Sequence, residues 1–445
     1  MTQLSLVERG LKHIWHPCGQ MKDYEIFKPL EVTGAKGSYI ELATGEKIID
    51  ANSSWWCKTL GHNHPRLQKA VLAQINKFEH VILANTTNET ITLLSEKLTS
   101  LTTSLNKVFY AGDGSSAVEI AMKLSLHSRV NKGETKKTKF IALKNGFHGE
   151  TLGALSVSDV GIYKTPYQAI VFDTFFISPV PYVSSNEDPL WLDCSEQWQV
   201  IEKQLEQHIE TTTAVILEPI LQASGHMKIY SQDLLQRLRA WTYKHNIHFI
   251  ADEIMTGIGR TGKMLACQHA GIEPDFICLG KGLTAGWMPF SAILTSDEIY
   301  QCFYDDYNNG TSFFHSHTYG GNALGASIVL EVLNIVEEVN LCEQANVLGK
   351  IMLSAMREIA HETGVLANIR QIGAVVAAEL IVTDPNRRLG FEVYQKAVQL
   401  GALLRPLGNT IYWVPPLNTE VETIDKLKQI TKAALLAVMI TNLAS

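Results

Sequence analysis

Three short stretches of the chain carry residue types that can act together on one small molecule. The apolar run HFIADEI (248–254) closes with two acids, Asp252 and Glu253, and the run DFICLGK (275–281) closes with Lys281. Taken singly, such an acid is usually a helix cap or an ion-pair partner, and such a lysine is usually a surface side chain. Taken together, they put a carboxylate and an ammonium at the carboxyl ends of two buried strands, where parallel sheets gather their ligands. The third stretch is AGDGSSAVEIAMK (111–123). It passes from a strand through small residues into a helix, whose first N–H groups and positive dipole end favour an anion. Ser116-x-x-Glu119 fits a capping box there, and an ordinary capped helix is the plain alternative. A lysine for covalent attachment, a carboxylate for a ring nitrogen and a phosphate cradle suit pyridoxal 5′-phosphate.

Between the two tips lies TGIGRTGK (256–263). Its Gly257, Gly259 and Gly262 fit GxGxxG, but a dinucleotide fingerprint opens the first βαβ unit and leads to an acid ending the next strand. This loop lies past residue 250, and the acid at the right distance, Asp275, enters a strand. Read as a P-loop, the stretch is one residue short and has Met264 where Ser or Thr would hold magnesium. The reading preferred is a strand-to-helix connection, with glycines at tight turns. Arg260 and Lys263 would then lie on the cleft wall or at a dimer contact.

The elements that position these residues follow an α/β rhythm. KVFYAG (107–112), KFIALKNG (139–146), TAVILEPIL (213–221) and FSAILTS (290–296) join the two runs above as buried strands. SAVEIAMKLSLHSRV (116–130) and QDLLQRLRAWTYKHN (232–246) have helical spacing. This predicts a mostly parallel sheet covered by helices. Residues 30–50 read as a small hairpin region with turn signals at Gly34, Gly37 and Thr44-Gly45. From residue 322 long helices come first, then the strand-like AVVAAEL (374–380) and TIYWVPP (410–416). The expectation is a large domain over 71–335 and a small α+β domain built from 1–70 and 336–445.

At 445 residues the chain is too long for one compact core. A formal charge of −7 with no Lys/Arg block argues against nucleic acid as a partner. The start MTQLSLVERGLKHIW has no apolar core of a secretion signal, and the apolar run at 433–440 is too short to span a bilayer. Seven cysteines without a CxxC argue against a disulfide framework or a zinc ribbon, so a cytoplasmic location is expected. His62-x-His64 and His315-x-His317 have no matching carboxylate or cysteine cluster, so loop and cap roles are preferred and no metal is expected.

In chain order, AGDGSSAVEIAMK, KNGFHGETLGALSVS (144–158), ILEPILQ (216–222), IADEIMTGIGRTGK (250–263) and CLGKGLTAGWMPFSA (278–292) resemble the class III, fold-type I pyridoxal phosphate-dependent aminotransferases. The resemblance runs along nearly the whole chain. More narrowly, WHPCGQMKDYE (15–25), NSSWWCKTLGHNHP (52–65), FFHSHTYGGN (313–322) and RPLGNTIYWVPP (405–416) are similar to the adenosylmethionine–8-amino-7-oxononanoate branch of that family. That branch makes 7,8-diaminononanoate for biotin. The resemblance implies that Lys281 attaches the cofactor and Asp252 keeps the pyridine nitrogen protonated. It implies that Gly114 and Ser115 bind the phosphate, completed by His317 and Thr318 from the other subunit of a homodimer. Phe147 would stack on the ring, and Gln222 would approach the ring hydroxyl. Trp55, Ser316 and Arg405 would face the substrate, Arg405 binding a carboxylate through its guanidinium fork. Without the family, Trp55-Trp56 reads equally as core packing at a domain boundary, and Arg405 as a surface arginine.

The chain departs from the family at three places. Cys18 and Phe147 stand where Tyr is usual, and Glu150 where Asp is frequent. Both lost phenols bear on the amino-donor pocket, with Cys18 at its edge. The resemblance implies S-adenosyl-L-methionine as donor, these departures bring in lysine as the alternative, and another class III ω-amino acid aminotransferase is the neighbouring activity.

Overall fold

The computed structural model describes residues 4–382 and 387–443. Its centre is a seven-stranded sheet of β1 (Lys107–Ala111), β2 (Lys139–Leu143), β3 (Phe175–Ile177), β4 (Thr212–Leu217), β5 (His248–Asp252), β6 (Phe276–Leu279) and β7 (Ser291–Thr295). The spatial order is β1-β7-β6-β5-β4-β2-β3. Strand β7 runs antiparallel to both neighbours, and the other pairings are parallel. Every residue of β4, β5 and β6 is buried, as expected for strands covered on both faces. Three residues were too few for β3 to show a period in the sequence.

Two local expectations are corrected. The run 213–221 is not one strand. It leaves the sheet after Leu217, where Pro219 offers no N–H and Ile220 turns to φ 69°. Leu221–Gln222 then pairs with Lys228–Tyr230 in a separate ribbon. The helix Gly114–Asn131 is capped by Asp113, not by a Ser116–Glu119 box. Asp113 accepts from the Ser116 N–H at 2.9 Å, because Ser116 already lies inside the first turn. Glu119 points instead to the N–H groups of Gly153 and Ala154, at 2.8 and 3.2 Å.

The two ends of the chain meet in one sheet. Val32–Lys36, Tyr39–Leu42 and Lys47–Asp50 form an antiparallel meander, and Ala402–Leu403 adds parallel to its last strand. A third sheet joins Leu366–Ile372, Val375–Leu380 and Thr410–Trp413. One apolar core runs through all of these regions, from Ile49 and Leu94 through Ile277 and Val332 to Met356 and Trp413.

The TGIGRTGK loop is the joint between the central sheet and the C-terminal sheet. It leads from β5 to a short 3-10 turn, Ala266–His269, and not to an α-helix. Glu253 closes it by accepting from the N–H groups of Ala266 and Cys267, at 2.9 and 2.8 Å. Arg260 is buried, where the sequence placed it on a cleft wall or a dimer contact. It donates to the carbonyls of Ala374 and Pro415 at 3.3 and 2.7 Å, and its own carbonyl accepts from Ala374. Lys263 is exposed. Gly373 lies against this loop with φ 47°, and a β-carbon there would collide with the main chain of Thr261. Gly373→Ala is therefore expected to cost about 1–3 kcal/mol or more in chemical denaturation. A loss under about 0.5 kcal/mol would contradict the joint.

Candidate active site

The tips of β5 and β6 and the start of helix Gly114–Asn131 converge. A β-carbon on Gly280 would lie 3.8 Å from the Gly114 Cα and 3.4 Å from Ile254 Cγ2, two residues beyond Asp252. Gly114 itself would bring a β-carbon within 2.9 Å of Ile254. At Gly114 it is bare backbone that lets the helix start approach the end of β5 this closely.

Asp252 is buried, and each carboxylate oxygen has a donor. Oδ2 lies 2.8 Å from His148 Nδ1, and Oδ1 accepts from the Ile254 N–H at 3.1 Å. The His148 N–H donates in turn to Ser158 Oγ at 2.9 Å, which fixes the ring's backbone. Its Nε2 is buried without a hydrogen-bond partner among the described residues. Lys281 keeps some solvent access, yet enclosure of its amine lowers its proton affinity, opposed by the charges of Asp252 and Glu218. Its Nζ sits 5.2 Å from the centre of the Trp56 ring. An enclosed amine that holds its proton less tightly than a free lysine, beside a held carboxylate, suits a general base.

The helix start offers an anion site. Asp113 takes the N–H groups of Ser116 and Ala117 through its side chain and carbonyl. The N–H groups of Gly114 and Ser115 keep no intrachain partner among the described residues. Ser115 Oγ accepts from the Glu150 N–H at 3.3 Å, which leaves its own O–H to donate. Phe147 is half-buried beside this region, its N–H donating to Glu218 at 3.0 Å. Gln222 donates to the Lys144 carbonyl and accepts from the Tyr182 hydroxyl, both at 2.8 Å. The 144–148 segment thus brings Phe147, His148 and Gln222 together.

A second wall is built from both ends of the chain. The Arg405 guanidinium lies 4.5 Å over the Trp55 ring, and its Nη2 donates to the Cys18 carbonyl at 2.9 Å. What Cys18 gives Arg405 is main chain, which any residue at 18 would offer. Trp56 points inward and donates from Nε1 to the Tyr412 hydroxyl at 3.2 Å. Ser316 and Thr318 are exposed, and no described contact brings them to Lys281 of the same chain. Thr318 accepts through its carbonyl from His80, and His317 lies beside Gly112 at the edge of β1.

The sequence reading did not single out His148 or Glu218. Both stand inside quoted motifs, but their partners are set by folding. Glu218 accepts from the N–H groups of Phe147 and Ala223 at 3.0 and 2.9 Å. Burial, reinforced by Asp252 and opposed by His148, pushes its carboxyl up to about 7. Its ionisation costs stability, so its contribution is full at low pH and falls as pH rises from about 4.5 through about 7. Glu218→Gln removes that fall. Measured by denaturation at several pH values, the variant is expected to gain on the wild type across this window, and a constant difference would contradict the assignment.

A model of the family "Aminotransferase class-III" matches residues 21–435. The adenosylmethionine-8-amino-7-oxononanoate aminotransferase of Helicobacter pylori is 38% identical, over 95% of this chain and 96% of its own. Its namesake from Aquifex aeolicus is 37% identical, over 94% and 95%. Among solved structures, the enzyme of that name from Methanocaldococcus jannaschii superposes with a TM-score of 0.89 at 33% identity, covering 97% of this chain and 98% of that one. The ω-transaminase of Pseudomonas jessenii in complex with PMP also reaches 0.89, at 25% identity and 98% of each chain.

Proposed function

We propose, from the premise that this chain belongs to the class-III aminotransferase family, that it transfers an amino group to the keto carbon of 8-amino-7-oxononanoate, forming 7,8-diaminononanoate for biotin synthesis. The enzyme is a pyridoxal 5′-phosphate-dependent aminotransferase. One observation carries the reading: the element ends that bear Lys281, Asp252 and the open N–H groups of Gly114 and Ser115 converge, and Lys281 lies over Trp56, whose neighbour Trp55 lies under Arg405. These residues fit the cofactor, since they offer an anion cradle, an enclosed amine and a buried carboxylate with both oxygens held. Relatives named for the same acceptor, matched over nearly their full length, support the substrate.

When bound, the cofactor supplies a carbonyl that carries the amino group between substrates and a ring that takes up the electron pair released at the substrate carbon. Gly114 and Ser115 hold its phosphate through main-chain N–H groups and the Ser115 hydroxyl. Asp252, fixed by His148, would be the carboxylate that keeps a proton on the ring nitrogen. Phe147 would pack on the ring, and Gln222 would serve its hydroxyl. Lys281 attaches the cofactor. Once free, its Nζ would take up and return the proton at the substrate's reacting carbon. Arg405 pairs with a substrate carboxylate, Trp55 flanks the substrate, and Cys18 anchors Arg405. Donor and acceptor take turns in the same site, so the kinetics are ping-pong.

The segment 71–335 is the cofactor-binding domain in this reading, and 1–70 with 336–445 form the small one. The working unit is a homodimer. Tyr304, Tyr307, Phe314 and Tyr319 are exposed around the 313–318 stretch, an apolar surface that a second copy would cover. That copy would receive Ser316, His317 and Thr318 at its own substrate and phosphate sites. The scattered free cysteines support action in the cytoplasm.

S-adenosyl-L-methionine is the first-choice donor. The test is a half-reaction in which the cofactor-loaded enzyme is mixed separately with S-adenosyl-L-methionine and with lysine. The cofactor spectrum is expected to convert to the amine form with S-adenosyl-L-methionine. Conversion by lysine alone would overturn the donor and leave the acceptor standing.

A further inference from the structure

The Trp55 wall depends on an unusual turn. Ser53, Ser54, Trp55 and Trp56 have φ of 48°, 47°, 85° and 69°, four successive left-handed residues without a glycine. Each is disfavoured by contact between its β-carbon and the following carbonyl, so the turn needs something to hold it. Asp50, fully buried at the end of Lys47–Asp50, touches it directly. Its carboxylate accepts from the Ser54 N–H at 3.0 Å, the Ser54 hydroxyl at 2.7 Å and the Asn52 N–H at 3.3 Å. The fourth partner is His62, whose Nε2 lies 2.8 Å away. His62 is itself fixed by two main-chain bonds to Gly37, at 3.0 and 2.7 Å. Asn52, on the same turn, accepts the Arg405 N–H at 2.8 Å.

The turn's shape has two consequences at the site. It sends Trp55 outward beneath the Arg405 guanidinium, and Trp56 inward beneath Lys281. We propose that Asp50 and His62 are positioning residues for the substrate: by holding the left-handed Ser53–Trp56 turn, they set the place of the Trp55–Arg405 wall relative to Lys281. This rests on the transamination reading of the same crevice. Asp50 and His62 touch neither cofactor nor substrate. Their effect falls on substrate binding, because the wall meets the part of the substrate remote from the reacting carbon.

The test uses Asp50→Asn and, should that variant fail to fold, His62→Gln. The KM for 8-amino-7-oxononanoate and its Kd by calorimetry on the cofactor-loaded enzyme are each expected to rise about 10-fold or more, the usual loss for a charged hydrogen bond. The kcat is expected to change much less, because Trp56 is held separately by its Nε1 bond to the Tyr412 hydroxyl. The decisive arm adds Ser53→Gly. Ser53 is buried, its Oγ has no hydrogen-bond partner among the described residues, and it makes none of Asp50's bonds. Glycine takes φ near +48° freely, so Ser53→Gly in the Asp50→Asn background relieves the turn without restoring the carboxylate. Recovery of at least about a third of the lost affinity is expected, a substantial return from one relaxed residue. A merely structural role for Asp50 would lower the melting temperature with KM and Kd unchanged, and that result overturns the proposal. So does a weakened Kd that Ser53→Gly fails to improve. If the wild type does not aminate 8-amino-7-oxononanoate at all, the functional reading fails instead. The same KM comparison, made with whichever donor the wild type accepts, then decides the positioning role.

Discussion

Lys281→Ala is expected to lower turnover by about 10⁴-fold, the upper end of what a general base contributes. The amine acts twice, in attachment and in proton transfer, so no neighbouring group can take over its work. Its enclosure beside Trp56 lowers its proton affinity, which favours the free amine that a base needs. The phosphate cradle at Gly114 and Ser115 belongs to another element, so cofactor binding is expected to weaken far less than turnover falls. Folding is not expected to suffer either, because removing an enclosed amine also removes its desolvation cost. Steady-state turnover, a cofactor titration and a melting curve on the one variant separate these effects. Turnover within tenfold of wild type would sink the assignment.

Asp252→Asn is expected to cost about 10²–10³-fold in turnover, the range seen when one preorganised electrostatic partner is removed. The substitution keeps the shape and an acceptor for the Ile254 N–H, so the loss reports on charge. The sign of a second effect separates two explanations. The Asp252 charge raises the proton affinity of Lys281. Its removal therefore lowers that affinity, leaves more free amine at a given pH and moves the acid limb of the pH–rate profile to lower pH. A fall in turnover together with that shift cannot come from protonation of Lys281, and points to the lost partner of the ring nitrogen. An acid limb displaced to higher pH would contradict the arrangement.

The strands that carry the chemistry were legible because both of their faces are buried. β5 and β6 read as unbroken apolar runs, so Asp252 and Lys281 were visible as charged tips. The helix start at Gly114 was legible from its small residues, but its cap was not. Asp113 and Ser116 both suit a cap, and where β1 ends decides between them. The glycine loop shows the opposite limit. TGIGRTGK matches one nucleotide motif by letter and falls one residue short of another, and its work is to join two sheets through Arg260, which only the distant Ala374 and Pro415 reveal. Glu218 and His148 were hidden for a related reason, since the partners that define them are separated in sequence by 71 and 104 residues. The Asp50–His62 pair was visible as letters, and the left-handed turn that gives it a purpose was not.

The most direct test of the central claim is product identity. The purified, cofactor-loaded enzyme is incubated with 8-amino-7-oxononanoate and S-adenosyl-L-methionine, and the products are identified by mass spectrometry. The account predicts 7,8-diaminononanoate, formed only when donor and acceptor are both present and abolished by Lys281→Ala. If 8-amino-7-oxononanoate were returned unchanged with either S-adenosyl-L-methionine or lysine, while another keto acid was aminated readily, the proposed acceptor would be wrong.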